Sequence, residues 1–156
     1  TTLTGLDHLE GQSVTILANG ATHPNKTVSG GSITLDRSST KVHVGLSYTS
    51  LLQTMRVELQ GEGGTSQSKD KRIHEVTLRL HETVGVEVGP NLDNMERIPF
   101  RSSAAAMDQA VPLFTGDKEV EFRDDFNTDG FVFVRQTQPL PLTLLSAYPR
   151  ITVNDG

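Results

Sequence analysis

The feature that most constrains this chain is a recurring local pattern: short runs in which apolar and polar residues alternate, each closed by Gly, Asn, Asp or Pro. A period of two sends one set of side chains to each face of an extended strand, whereas a helix needs a period near 3.6. Residues 13–18 read as a strand ending at Asn19-Gly20, the dipeptide best suited to the positive φ angles of a tight hairpin turn. A return strand follows through Thr27 and Val28, and Gly30-Gly31 turns the chain into residues 32–35. Residues 41–46 place Val42, Val44 and Leu46 on one face and His43 on the other.

In residues 51–60 the apolar Leu51, Met55, Val57 and Leu59 fall at odd positions and Thr54, Arg56, Glu58 and Gln60 at even ones, which predicts a half-buried strand. A helical stripe through Leu51, Leu52, Met55 and Leu59 fits the same residues. Residues 61–68 are rich in Gly and Ser and predict a mobile loop. Residues 73–81 alternate again, with Val76, Leu78 and Leu80 against Glu75, Thr77, Arg79 and His81, and the run continues through 84–88 to Gly89-Pro90. Across 91–115 the alternation fades, and Pro99 and Pro112 interrupt any long ladder because proline lacks the N–H that a sheet requires. That segment predicts an irregular insertion, with at most a short helical turn over 102–110. Strands resume at 118–122, at 131–136 after a turn at Asp129-Gly130, and at 142–153. Many short strands joined by tight turns, without a repeat of solenoid length, predict an all-β fold: an antiparallel β-sandwich or barrel-like module with a long irregular insertion. At 156 residues the chain suits a single β module spanning 1–156, since domains commonly run to roughly 100–200 residues.

The chain has no Cys, so neither a disulfide framework nor a thiolate metal site is available, and its core must hold it together. Against 14 Lys and Arg stand 19 Asp and Glu, a formal charge of -5. A dedicated nucleic-acid binder carries the opposite balance. The densest basic cluster, Lys69-Asp70-Lys71-Arg72, is interrupted by an acid and follows the Gly/Ser stretch, which predicts a solvated loop. No apolar run is long enough for a membrane-spanning helix.

Residues 125–130, Asp-Phe-Asn-Thr-Asp-Gly, match the first half of a calcium loop. The complete loop needs a bidentate Glu at its twelfth position, and Gln136 stands there. Asp and Asn also bond their own backbone in ordinary turns, so a plain hairpin is the expectation. His8, His23, His43, His74 and His81 offer no close metal-ligand spacing; His43 and His81 lie on polar strand phases, and His74 lies on the apolar phase, which predicts partial burial. No Gly-x-Ser-x-Gly elbow occurs, and adjacent Asp124 and Asp125 do not define a catalytic pair. Sugar recognition favours aromatic platforms, and the chain offers no Trp and only Tyr48 and Tyr148 beside its Phe residues. The expectation is therefore a non-enzyme without catalytic, cofactor-binding or metal-binding residues.

Several segments form an ordered set: Gly5-Leu6-Asp7-His8-Leu9-Glu10-Gly11 leading into Val14-Thr15-Ile16-Leu17-Ala18-Asn19-Gly20, then Val42-His43-Val44-Gly45-Leu46 with Tyr48-Thr49. Gly89-Pro90, Ile98-Pro99-Phe100-Arg101, Thr115-Gly116 and Val134-Arg135-Gln136 follow, leading to Pro139-Leu140-Pro141-Leu142-Thr143-Leu144-Leu145. This set, spanning nearly the whole chain, resembles the C-terminal region of nozzle-type tail proteins of short-tailed bacteriophages, including the tail tubular protein B-like proteins. The resemblance implies a virion structural protein, assembled in the host bacterial cytoplasm, that forms a homo-oligomeric ring, typically hexameric, extending the DNA-conducting tail. It implies neighbouring adaptor or tail-fibre proteins, DNA that passes without specific binding, and no catalytic residues. It also implies a longer parent protein, which the start at Thr1 would suit. The alternative from another class is a carbohydrate-binding adhesion module of a tail or cell surface; a small β-sandwich hydrolase is a third.

Overall fold

The computed structural model describes residues 2–61, 64–102 and 110–154. Its strands are β1 (Thr2–Thr4), β2 (Ser13–Ala18), β3 (Ala21–Thr27), β4 (Ser32–Thr34), β5 (Val42–Leu46), β6 (Ser50–Gln53), β7 (Gln60–Gly61), β8 (Gly64–Thr65), β9 (Lys71–Thr83), β10 (Glu87–Gly89), β11 (Glu96–Arg97), β12 (Phe114–Glu121), β13 (Phe133–Gln136) and β14 (Leu144–Val153). The one helical element described is a single 3-10 turn at Asp7–Leu9. Every strand pairing is antiparallel, so the fold is all-β, as the alternating runs predict. The larger sheets run β3-β2-β5, β11-β10-β13-β6 and β12-β9-β14, with two-stranded ribbons β1-β4 and β7-β8.

The N-terminal third forms one hydrophobic cluster. In β2 the even residues Val14, Ile16 and Ala18 are buried and meet Val28, Ile33 and Leu35. Asn19 and Gly20, with φ of 52° and 79°, make the hairpin into β3, as expected of a type I′ turn. Pro24 is tolerated inside β3 because that strand is an edge and its pairing with β2 slips between Val14 and Ile16. The Gly30-Gly31 turn is held by Glu10, whose carboxylate accepts both backbone N–H groups at 3.0 and 2.8 Å.

The second cluster lies between the β12-β9-β14 and β11-β10-β13-β6 sheets and contains Ile73, Val76, Leu78, Leu80, Val86, Val88, Ile98, Phe122, Val132 and Val134. Each such side chain, fully buried, contributes about 1.5–3 kcal/mol. Across the four-stranded sheet Glu87 faces Arg97 on one neighbour and Arg135 on the other, and accepts from both, at 3.2 and 2.8 Å.

Strand β9 departs from simple alternation at both ends. Opposite β14 the register slips between Arg150 and Ile151, leaving His74 bulged outward and exposed rather than partly buried. Past the bulge the inward phase changes parity, from Lys71 and Ile73 to Val76, Leu78 and Leu80. A second slip opposite β12, with Glu82 at φ 43°, turns Thr83 inward. Lys71 therefore belongs to a strand and is 1% exposed, where its charge had predicted a solvated loop. Its aliphatic stem packs beside Gly130, and its Nζ donates to the Val57 carbonyl at 3.0 Å and pairs with Glu58 at 3.4 Å.

Three further expectations are corrected. Residues 51–60 do not form a half-buried strand: β6 stops at Gln53, the chain from 54 to 59 is irregular, and Met55 is 88% exposed. Of the apolar side, Leu51, Met55 and Leu59 are exposed, and Val57 is half-buried beside Gly130. Residues 61–68 are not simply loop: β7 and β8 form a minimal ribbon, and Ser66 is buried, accepting from the Leu59 N–H at 2.8 Å. The Asp129-Gly130 turn does not close a hairpin, because β12 and β13 belong to different sheets and the chain crosses between them. Within 91–115, β11 and buried Ile98 join the second cluster, while the helical turn expected over 102–110 falls mainly on 103–109, outside the described residues.

Candidate functional site

A groove of about 580 Å³ lies where the two hydrophobic clusters meet. One wall is β5 with Ser47 and Tyr48, and the other is the proline-containing turn of residues 136–142. Thr15 and Leu17, on the less buried phase of β2, complete it. Among the described residues, no Asp, Glu, Lys or Arg lines this groove. It offers apolar surface, hydroxyls, amides and one imidazole, and no fixed charge.

The 136–142 wall is rigidly held. Gln136, 5% exposed, donates its amide to the Val84 carbonyl at 2.9 Å and accepts from the Gln138 N–H at 3.2 Å. Thr83 adds its hydroxyl, accepting from the Thr143 N–H at 2.8 Å and donating to the His81 carbonyl at 2.9 Å. Gly85, at φ 83°, lets the turn approach: a Cβ there would fall 2.6 Å from a Leu140 methyl. Gln136, singled out in the sequence as the residue that breaks the calcium pattern, thus works as a buried amide clamp.

The segment 125–130 lies apart from this groove and uses its oxygens internally. Asn127 Oδ1 accepts from the N–H groups of Asp129 and Gly130 at 2.9 and 2.8 Å, and its amide donates to Asp124 Oδ1 at 3.0 Å. Asp129 pairs with Arg56 at 2.8 Å. The backbone of Asn127 bridges to Lys71 in both directions, at 2.8 and 2.9 Å. This is an Asx-turn that closes the inter-sheet crossover. Burial pushes the Asp124 carboxyl up from the usual carboxylate range, opposed by hydrogen bonds from Asn127 and from the Ile73 and Asp125 backbone.

The histidines are dispersed. His8, His43, His74 and His81 are exposed, and His23 is buried with both ring nitrogens engaged. Its Nδ1 lies 2.8 Å from the Pro24 carbonyl and must donate there, so Nε2 accepts from the Asp36 N–H at 3.0 Å. Among the described residues no three His, Asp or Glu side chains converge as a metal site, and no helix is long and apolar enough to cross a membrane. Asp124 is buried, with Oδ1 accepting from Asn127 and Oδ2 left without a hydrogen-bond partner, whereas Asp125 is exposed.

The feature that sequence reasoning missed is the surface beside the groove. Of the large apolar residues that remain exposed, Leu46, Tyr48, Leu51, Leu52, Met55 and Leu59 fall in one short stretch running through β6. The adjacent pair Leu51-Leu52 was the available signal, because two neighbouring leucines put apolar side chains on both faces of a strand. Known protein-family models give no match to the chain, and a comparison with curated proteins finds no significant one.

Proposed function

We propose that this chain is a structural module of a short-tailed phage tail, a subunit of a nozzle-type ring that extends the DNA-conducting tube. Its work in this reading is to fold rigidly and present interfaces, with no reaction of its own. The supporting observation is a convergence: residues 43–48 and 136–142, from two distant stretches that carry the family resemblance, line the same groove. Segments held together by function meet in space, and the groove they form is built for contact, being uncharged, rigidly walled and flanked by exposed apolar side chains. The chain's net charge of -5 suits a conduit component that does not grip passing DNA.

Immunogold labelling of phage particles with antibody to this chain tests the reading. Gold on the tail tube below the portal is expected; gold confined to fibres, or absent from virions, would overturn it. One observation favours the second reading, a glycan-binding adhesion module: Tyr48 is 81% exposed at the rim of a groove that also holds Gln136, Gln138 and His43. Binding on a glycan array that is lost in Tyr48→Ala would move the assignment there.

A further inference from the structure

We infer that His23 and Asp36 form a pH-sensitive latch on the segment that joins β4 to β5: the neutral ring holds the Asp36 backbone N–H, and the protonated ring takes the Asp36 carboxylate instead. This latch works within one chain and does not depend on the tail reading.

Residues 36–41 form no strand, and hydrogen bonds fasten them to the β2-β3 hairpin at both ends. At the end near β5, Asn19 Oδ1 accepts from the Thr40 N–H at 3.1 Å and the Lys41 N–H at 3.0 Å. At the end near β4, Arg37 donates to the Thr22 carbonyl at 3.0 Å, and Lys26 pairs with the Asp36 carboxylate. None of these bonds uses a histidine. The bond from the Asp36 N–H to His23 Nε2, at 3.0 Å, does. It needs a lone pair on Nε2, and histidine is the side chain whose ordinary charge change falls between about pH 5 and 8.

The ring has no free nitrogen with which to absorb a proton. It is buried, and its Nδ1 already donates to the Pro24 carbonyl at 2.8 Å, so a second proton can go only to Nε2. There it meets the Asp36 N–H, donor against donor. An acceptor stands ready on the same residue, because Asp36 Oδ2 lies 3.6 Å from Nε2. The hydrogen bond from Lys26 holds the Asp36 carboxyl below its usual range, which keeps it charged where a histidine titrates. Protonation therefore exchanges one partner for another: the carboxylate turns from Lys26 to the ring, and the Asp36 N–H is released to solvent. Beside Asp36, the charged groups near the ring are Lys26 and Arg37, and both are engaged. Strands β2 and β4, which pack against β3, contain no ionisable side chain, and the residue opposite His23 is Ile16.

Amide–water exchange measured by NMR, expressed relative to an unstructured chain at the same pH, tests the latch in the wild type, His23→Gln and Asp36→Ala. In the wild type the protection of the Asp36 amide should fall about tenfold between about pH 8 and pH 5, the effect of losing one hydrogen bond. Gln puts an uncharged acceptor where Nε2 stands, so His23→Gln should keep the same protection at both pH values. Asp36→Ala retains the N–H and removes the acceptor of the acid state, and residues 36–41 should then lose more protection at the lower pH than they do in the wild type. Asp36 is exposed, so this variant leaves the buried cluster intact, and unchanged far-ultraviolet circular dichroism establishes that each variant folds. A wild-type Asp36 amide equally protected at both pH values overturns the inference, as does a loss that persists in His23→Gln. An identical acid response in the wild type and Asp36→Ala overturns it too, because the carboxylate would then not be the partner of the charged ring.

Discussion

Strand β9 turns Ile73, Val76, Leu78 and Leu80 into a layer that excludes water completely, whereas β6 leaves Leu51 and Leu52 about half in solvent. The residue types are alike, and both segments announce themselves in the sequence by apolar residues at strand spacing. The difference lies in their neighbours. Strand β9 is the central strand of its sheet, between β12 and β14, and the β10-β13 side of the second sheet covers its inner face. Strand β6 is an edge, and its leucines lie outside both hydrophobic clusters. An apolar pattern at strand spacing does not by itself fix burial, which depends on the neighbours that the rest of the fold supplies.

Breaking the β9 side should cost most. Leu78→Ala removes a fully buried side chain from the sheet-sheet interface and is expected to destabilise the fold by about 2–5 kcal/mol in urea unfolding. A loss near zero would mean that the two sheets are not packed as described. Lys71→Met comes next. It keeps much of the buried stem but leaves the Val57 carbonyl without its donor and Glu58 without its cation, for an expected loss of about 1–3 kcal/mol in the same assay. An unchanged midpoint would show that segment 54–59 is not anchored by Lys71.

Gly20→Val tests the N-terminal cluster by itself, since φ of 79° at the hairpin is a conformation that β-branched residues resist. A loss of roughly 1 kcal/mol or more is expected in thermal melting. Glu87→Gln should have the smallest effect, about 1 kcal/mol at neutral pH, and the most diagnostic pH dependence. Burial alone would raise the Glu87 carboxyl, but hydrogen bonds and charge from Arg135 and Arg97 hold it below its ordinary value of 4.5. A depressed carboxylate stabilises the fold above its unfolded pKa, and that contribution disappears as pH falls through the folded value. The wild-type and Glu87→Gln unfolding curves should therefore differ at pH 7 and converge in acid. A difference that persists at pH 2 would assign the effect to packing.

Much of the architecture is legible in the sequence because it is local. The β2-β3 hairpin follows from Asn19-Gly20, and the central part of β9 from unbroken alternation. What was not legible depends on contacts between distant segments. The exposure of His74 comes from a slip against β14, some seventy residues later in the chain, and the burial of Lys71 from acceptors at Val57 and Glu58. Strand β1 was missed because its partner is β4 and its three residues carry no pattern. At the groove, the residues were visible individually, but their meeting depends on Gln136 and Thr83 fixing the 136–143 segment, a tertiary fact. The calcium-like spacing of 125–130 has the opposite lesson, since the same Asx chemistry that suggests a ligand set closes a turn.

The central claim is that β9 is an enclosed strand at the interface of two sheets while β6, of similar residue type, is an open edge. Hydrogen–deuterium exchange tests it within one molecule, with β9 as the internal reference. Amides of Lys71–Thr83 should be strongly protected, while those of residues 50–53 should exchange much faster. Protection of residues 50–53 equal to that of Lys71–Thr83 would contradict the claim.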